Sequence, residues 1–99
     1  MNITIISIMS TKKCKTQDNA IYLVYGKNGC PYTQRALETL DEKKVSYTYV
    51  DISDYQSQFF QLCEPKIGKN HKTVPVIFHR GKFIGGSDEL IKHLEKKND

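Results

Sequence analysis

The sequence lacks a long hydrophobic run and has little cysteine, and both shortages exclude whole classes of protein. The opening stretch MNITIISIM is much shorter than the roughly 20 residues of a membrane-spanning helix. It also lacks the positive residues and the cleavage site of a secretory signal. The three cysteines are an odd number, and no spacing among them suits a disulfide framework or a tetrahedral zinc site. We therefore expect a cytoplasmic protein with no membrane partner and no metal.

The length and charge of the chain limit the number of domains and the kinds of binding partner. Its 99 residues suffice for one hydrophobic core, and its net charge of +4 favours small anionic ligands or acidic surfaces. Nucleic acid is not an expected partner, because the lysines are dispersed and no nucleic-acid motif accompanies them. Residues 1–19 end in the polar stretch STKKCKTQDN, so we expect a flexible leader followed by one domain over 20–99. We expect this domain to act as a monomer.

Strand and helix patterns alternate along this domain. Buried or two-faced strands are predicted for AIYLVYG and VSYTYVD, amphipathic helices for PYTQRALETLDEKK and DISDYQSQFFQLC, a loop for EPKIGKNHKT, a hairpin for VPVIFHRGKFIGG and a closing helix for SDELIKHLEKKND. The first two strands are separated by a helix and should be parallel, whereas the hairpin strands are antiparallel. The order predicts an α/β fold of three layers, with helices on both faces of a mixed four-stranded sheet. This is the thioredoxin-like architecture.

One cysteine stands where a reactive thiol is expected. Cys30 follows the first predicted strand, and Pro31 suits the first position of the helix that comes next. The unpaired N–H groups and the positive dipole end of a helix favour a thiolate over a thiol, and Lys27 adds a positive charge on the same turn. The sequence thus predicts a nucleophilic cysteine with a lowered pKa at Cys30.

Three motifs occur in the order that glutaredoxins have them. The stretch KNGCPYT, the TVP at Thr73–Pro75 and the GGSDEL at Gly85–Leu90 resemble that family from about Ala20 to the C-terminus. The resemblance implies a thiol-disulfide oxidoreductase that uses glutathione as a co-substrate. Its further partners would be glutathionylated proteins or small disulfides.

The resemblance also implies roles for single residues. Cys30 would attack the mixed disulfide, and the other matched positions would bind glutathione: Lys27 and Tyr32 near the cysteine, Thr73, Val74 and a cis Pro75 along its backbone, and Gly86, Ser87 and Asp88 at its γ-glutamyl end. A family glutamine matches either Gln56 or Gln58, and the basic loop before Thr73 offers Lys72 as a second contact to the glycyl carboxylate.

The sequence departs from the two-thiol members of the family at Thr33, which stands in the place of their second cysteine. We expect a monothiol mechanism in which the Thr33 hydroxyl donates a hydrogen bond to the Cys30 sulfur. Two alternatives stay open: a dimer that carries a [2Fe–2S] cluster with glutathione ligands, and a redox-sensing adaptor in which Cys14 or Cys63 pairs with Cys30. We expect Cys63 to be buried and Cys14 to be a free surface thiol.

Overall fold

In a computed structural model, four strands and three helices follow one another along the described part of the chain. The structure describes residues 14–17 and 20–97, so most of the predicted leader lies outside the described residues. The elements are β1 (Tyr22–Gly26), α1 (Pro31–Glu42), β2 (Tyr47–Asp51), a short 3-10 turn (Ser53–Tyr55), α2 (Gln56–Ile67), β3 (Val76–His79), β4 (Lys82–Gly85) and α3 (Ser87–Lys97). Among the described residues no helix has the length and apolar character needed to cross a membrane.

The four strands form one mixed sheet in the order β2-β1-β3-β4. Strand β1 pairs parallel with β2 and antiparallel with β3, and β3 pairs antiparallel with β4. The β3–β4 turn contains Arg80 and Gly81, both with positive φ, as a tight two-residue hairpin requires. The predicted thioredoxin-like fold is confirmed.

Alternate residues of the central strands enter two separate cores, one on each face of the sheet. On one face the strand side chains pack against α2, with Leu23, Tyr25, Ile52, Phe59, Phe60, Cys63, Ile67, Val76 and Phe78 as the buried cluster. On the other face they pack against α1 and α3, with Tyr22, Val24, Ala36, Leu40, Ile77, Leu90 and Leu94. Buried on both faces, β1 is a rigid support for the residues that follow Gly26.

Helix α2 begins and ends later in the chain than the sequence predicts. The prediction of a loop from Glu64 is wrong, because the helix continues through Pro65 to Ile67. Ile67 lies one turn beyond Cys63 on the buried face, and both side chains pack into the same core. The burial of Ile67 compensates for the backbone hydrogen bond that Pro65 cannot make. The loop before β3 therefore begins only at Gly68.

The first described residues are covalently linked to α2. Cys14 and Cys63 form a disulfide across a sequence separation of 49. The prediction that Cys14 is a free surface thiol is wrong, whereas Cys63 is fully buried as expected. Beyond Cys14, the Lys15 carbonyl accepts a hydrogen bond of 2.7 Å from the Tyr25 hydroxyl. Residues 14–17 thus pack on the domain, while the flexibility predicted for the leader concerns mainly residues outside the described part.

Candidate active site

Cys30 lies at the mouth of α1, in the turn that follows β1. Its N–H donates to the Lys27 carbonyl (3.1 Å), and its own carbonyl accepts the first helical hydrogen bond, from Gln34 (3.0 Å). Gly29 makes this turn possible with a φ of 86°, a left-handed conformation that other residues rarely adopt. The sulfur therefore faces the positive end of the helix dipole, and the residue is half-buried.

Thr33 lies one helical turn further on, against the end of β1. Its side chain is only 2% exposed, and its Oγ1 accepts a hydrogen bond of 3.2 Å from the Lys27 N–H. Glycine at position 26 makes room for it, because a Cβ there would lie 2.8 Å from that oxygen. The threonine is thus part of the packed support beneath Cys30.

The pKa of Cys30 lies below the ordinary thiol value. Partial burial is the largest single influence and raises it. The N–H and hydroxyl groups of Thr33, the N–H of Tyr32 and the charge of Lys27 together outweigh that burial. The thiolate expected from the sequence therefore has a structural basis in hydrogen bonding and charge.

A cavity of about 480 Å³ opens beside the sulfur. Cys30 and the exposed ring of Tyr32 contribute to its wall, and the loop before β3 contributes Lys72, Thr73 and Val74. Lys27 also lines this cavity, so two lysines bring positive charge to it. Of the two glutamines left open by the sequence, Gln56 lines the cavity and Gln58 does not.

A second cavity of about 480 Å³ extends from the first towards α3. Tyr32, Thr73 and Val74 line both cavities. The Val74–Pro75 peptide bond, immediately before β3, is cis, as the resemblance implies. The far end is lined by Gly86, Ser87, Asp88 and Glu89, together with His71. We call the two cavities together the groove. It brings together every residue that the sequence predicted to bind glutathione.

The α3 end of the groove has an internal carboxylate of its own. Glu89 accepts a hydrogen bond of 2.9 Å from the Gly86 N–H, which caps the helix in place of the predicted Ser87 or Asp88 side chains. The first hydrogen bond within the helix is donated by the Leu90 N–H to the Gly86 carbonyl. The N–H groups of Ser87 and Asp88 therefore stay available to bind a ligand carboxylate at the start of α3. The Asp88 carboxylate lies 3.7 Å from the Arg35 guanidinium.

Sequence reasoning missed several residues of the site. The Tyr49 hydroxyl donates a 2.7 Å hydrogen bond to Asn28 and so braces the turn before Cys30 from β2. Burial is the main reason that the pKa of Tyr49 is raised, and the charges of Asp51 and Cys30 add to it. His71 and Glu89 line the groove, although nothing in the sequence singled them out.

The three cysteines divide into one pair and one unbonded thiol. Because Cys14 is bonded to Cys63, neither is paired with Cys30, contrary to the arrangement considered for an adaptor. No group of three or more potential metal ligands occurs among the described residues.

Comparison with known proteins places the chain in a family. A family model described as the N-terminal domain of glutathione S-transferase matches residues 24–99. A probable glutaredoxin of Acanthamoeba polyphaga mimivirus is 32% identical over 92 residues, which cover 85% of this chain and 87% of that protein. The chain belongs to the glutaredoxin family. Glutaredoxin 1 of Rickettsia conorii is 37% identical over 75 residues, or 76% of this chain and 72% of that protein.

The solved structures agree on the glutaredoxin fold. The holo form of glutaredoxin C1 from Populus tremula x tremuloides superposes with a TM-score of 0.71 at 23% identity, covering 98% of this chain and 86% of that one. Membership of the family makes the chain a glutathione-related thiol oxidoreductase.

Proposed function

We propose that the protein reduces glutathione mixed disulfides by a monothiol mechanism, with Cys30 as the nucleophile. The observation that supports this most directly is the surroundings of the Cys30 sulfur. Hydrogen-bonding groups of Thr33 and Tyr32 and the charge of Lys27 favour its thiolate, and the other two cysteines are bonded to each other. Cys30 is then the only one of the three cysteines available for exchange.

The reaction proceeds by two thiol-disulfide exchanges. The Cys30 thiolate attacks the glutathionyl sulfur, a new sulfur–sulfur bond forms on Cys30, and the substrate leaves as a thiolate that takes a proton from water. A second glutathione thiolate then attacks the glutathionyl sulfur on Cys30. Glutathione disulfide leaves, and the Cys30 thiolate is restored. The net reaction consumes one glutathione thiol, which leaves as glutathione disulfide together with the glutathionyl group taken from the substrate.

The groove suits the shape and charges of glutathione. Lys27 and Lys72 would hold the glycyl carboxylate, with Gln56 beside them, and the Val74 backbone would pair with the cysteinyl residue like an added strand. At the other end, the N–H groups of Ser87 and Asp88 would receive the γ-glutamyl carboxylate. The Asp88 side chain would accept the ammonium group.

The test is turnover of a small glutathione mixed disulfide, with glutathione disulfide formation followed through glutathione reductase. We expect wild type to be active, Cys30→Ser to be inactive, and the double variant Cys14→Ser/Cys63→Ser to keep most activity. Mass spectrometry should find one glutathione on Cys30 of the intermediate. Loss of activity in the folded double variant would contradict the monothiol mechanism, since a second cysteine would then resolve the intermediate.

We further propose that the protein acts as a monomer in the cytoplasm without a metal. Its gel-filtration volume and visible absorbance test this, because a brown dimer would instead favour the cluster carrier. Because Cys14 and Cys63 are bonded to each other, the spacing of the cysteines does not favour a reducing compartment. The cytoplasm stays a prediction, to be tested by the redox state of that pair in cells.

A further inference from the structure

His71 lies in the groove and has no part in the proposed function. It comes from the loop between α2 and β3 and lines the α3 end of the groove beside Glu89. Its ring packs edge-on against Phe83 of β4, with centroids 5.1 Å apart and an interplanar angle of 75°. This contact holds the imidazole against the sheet. In the sequence, His71 directly precedes the groove residues Lys72, Thr73 and Val74.

The ring nitrogen Nε2 of His71 is buried, and no hydrogen-bond partner for it occurs in the described part of the chain. Buried polar atoms are nearly always hydrogen-bonded, so a partner for Nε2 is expected, and a nearby side chain that moves can supply one. Nε2 can donate a hydrogen bond when it carries the proton of the ring.

Glu89 is the acidic neighbour that can become this partner. Its carboxylate accepts a hydrogen bond from the Gly86 N–H. This N–H is next to those of Ser87 and Asp88, which would bind the γ-glutamyl carboxylate. Glycine at position 85 leaves space for the Glu89 side chain, because a Cβ there would lie 2.7 Å from the Glu89 Cγ. The φ of Gly85 is 121°. The Gly86 and Glu89 N–H groups chiefly lower the pKa of Glu89, and the charges of His71 and Lys92 lower it further.

Glutathione would bring a second carboxylate to the same helix start. Two carboxylates that share adjacent N–H groups repel each other, and the ligand's carboxylate gains most if the internal one withdraws. We propose that His71 is a positioning residue for glutathione: its Nε2–H donates a hydrogen bond to the Glu89 carboxylate when the γ-glutamyl carboxylate takes over the start of α3. This inference rests on the proposed function.

Binding of S-methylglutathione, which cannot exchange disulfides, tests the proposal by calorimetry on the intact protein. We expect His71→Phe, which keeps an aromatic ring beside Phe83, to bind it roughly tenfold or more weakly than wild type, the usual effect of losing a hydrogen bond to a charged group. His71→Gln, whose side-chain amide can still donate, should retain part of the affinity. In a Glu89→Gln background, His71→Phe should have little further effect, because the carboxylate it serves is gone.

Two controls separate this role from a merely structural one. S-methyl-cysteinylglycine lacks the γ-glutamyl group, so wild type and His71→Phe should bind it equally. His93→Phe replaces an imidazole that packs against His79 and Tyr22 outside the groove, and it should bind S-methylglutathione like wild type. In wild type, the imidazole nitrogen resonances of His71 should shift on addition of S-methylglutathione and not of the shorter ligand.

The outcomes distinguish the two proposals. If wild type fails to bind S-methylglutathione, the proposed function is overturned and this inference with it. If wild type binds it and His71→Phe binds equally well, the inference alone is wrong. An equal loss for both ligands would also overturn it, because His71 would then only shape the loop. Should His71→Phe fail to fold, His71→Gln and the resonance shifts decide.

Discussion

The Lys27 N–H donates a hydrogen bond of 3.2 Å to Oγ1 of Thr33, and this bond determines what the threonine hydroxyl can do for Cys30. With its oxygen engaged as an acceptor, the hydroxyl is free to donate its hydrogen to the Cys30 sulfur, a hydrogen bond that lowers the thiol pKa. The backbone after β1, the buried threonine and the reactive sulfur thus form one chain of hydrogen bonds. We therefore expect Thr33 to do more than fill the place of a second cysteine.

Replacing Thr33 by valine tests this chain of hydrogen bonds. Valine has a similar shape but no hydroxyl, so the pKa of Cys30 should rise and less thiolate should be present at low pH. We expect iodoacetamide to alkylate Cys30 at pH 6 roughly two- to tenfold more slowly than in wild type, the usual effect of one hydrogen bond. Thr33→Ser keeps the hydroxyl and is the matched control. Superimposable pH profiles for threonine and valine would show that the hydroxyl is passive.

The Cys14–Cys63 disulfide should contribute to stability. A cross-link over 49 residues restricts the unfolded chain, and a loop of that length corresponds to about 4 kcal/mol in the chain-entropy model. We expect a reductant to lower the urea midpoint of Cys30→Ser, a background in which Cys30 cannot interfere. The triple variant that also has Cys14→Ser and Cys63→Ser should unfold at one midpoint with or without reductant. Equal midpoints for the oxidised and reduced background would contradict the stabilisation.

Glu89 should make stability depend on pH in the acidic range. In the folded protein, hydrogen bonds from the Gly86 N–H and, to a smaller extent, from the Glu89 N–H hold the pKa of Glu89 below the ordinary 4.5. Such a group stabilises the fold fully above the unfolded pKa, and the contribution is lost as the pH falls through the folded pKa. Between pH 6 and pH 3, wild type should therefore lose more stability to urea than Glu89→Gln. Glu95→Gln, on the same helix, should behave like wild type, and parallel losses in all three proteins would refute the capping role.

How much of this protein could be read from its sequence depends on the range of the interactions involved. The sheet topology follows from the order of local patterns, and the turn around Cys30 follows from Gly29 and Pro31. The end of helix α2 was predicted too early because a proline usually ends a helix, and the gain from burying Ile67 depends on the core it enters. The Cys14–Cys63 bond depends on how the chain folds back over α2, which spacing alone does not reveal.

The candidate site divides in the same way. The motif residues were located because each lies in a short recognisable stretch, and the structure brings them to one groove. Tyr49 and His71 reach the site from β2 and from the loop before β3. Their relation to it is created by the tertiary fold, so no local pattern could have predicted it. Glu89 lies inside the GGSDEL motif, yet its capping role also depends on the space that Gly85 leaves for its side chain.

Thr33→Cys tests whether the site works with one sulfur. A cysteine at this position would place a second thiol at the first turn of α1, where Thr33 is buried beside Cys30 and Gly26. That thiol can attack the Cys30 sulfur of the glutathionylated intermediate, release glutathione and close an internal disulfide. We expect slower turnover of glutathione mixed disulfides, because part of the enzyme is diverted, and a gain of activity on protein disulfides such as those of insulin. Thr33→Ser, which adds no thiol, should show neither change. Faster turnover of mixed disulfides in Thr33→Cys would mean that a second thiol helps this site, and the one-sulfur mechanism would be wrong.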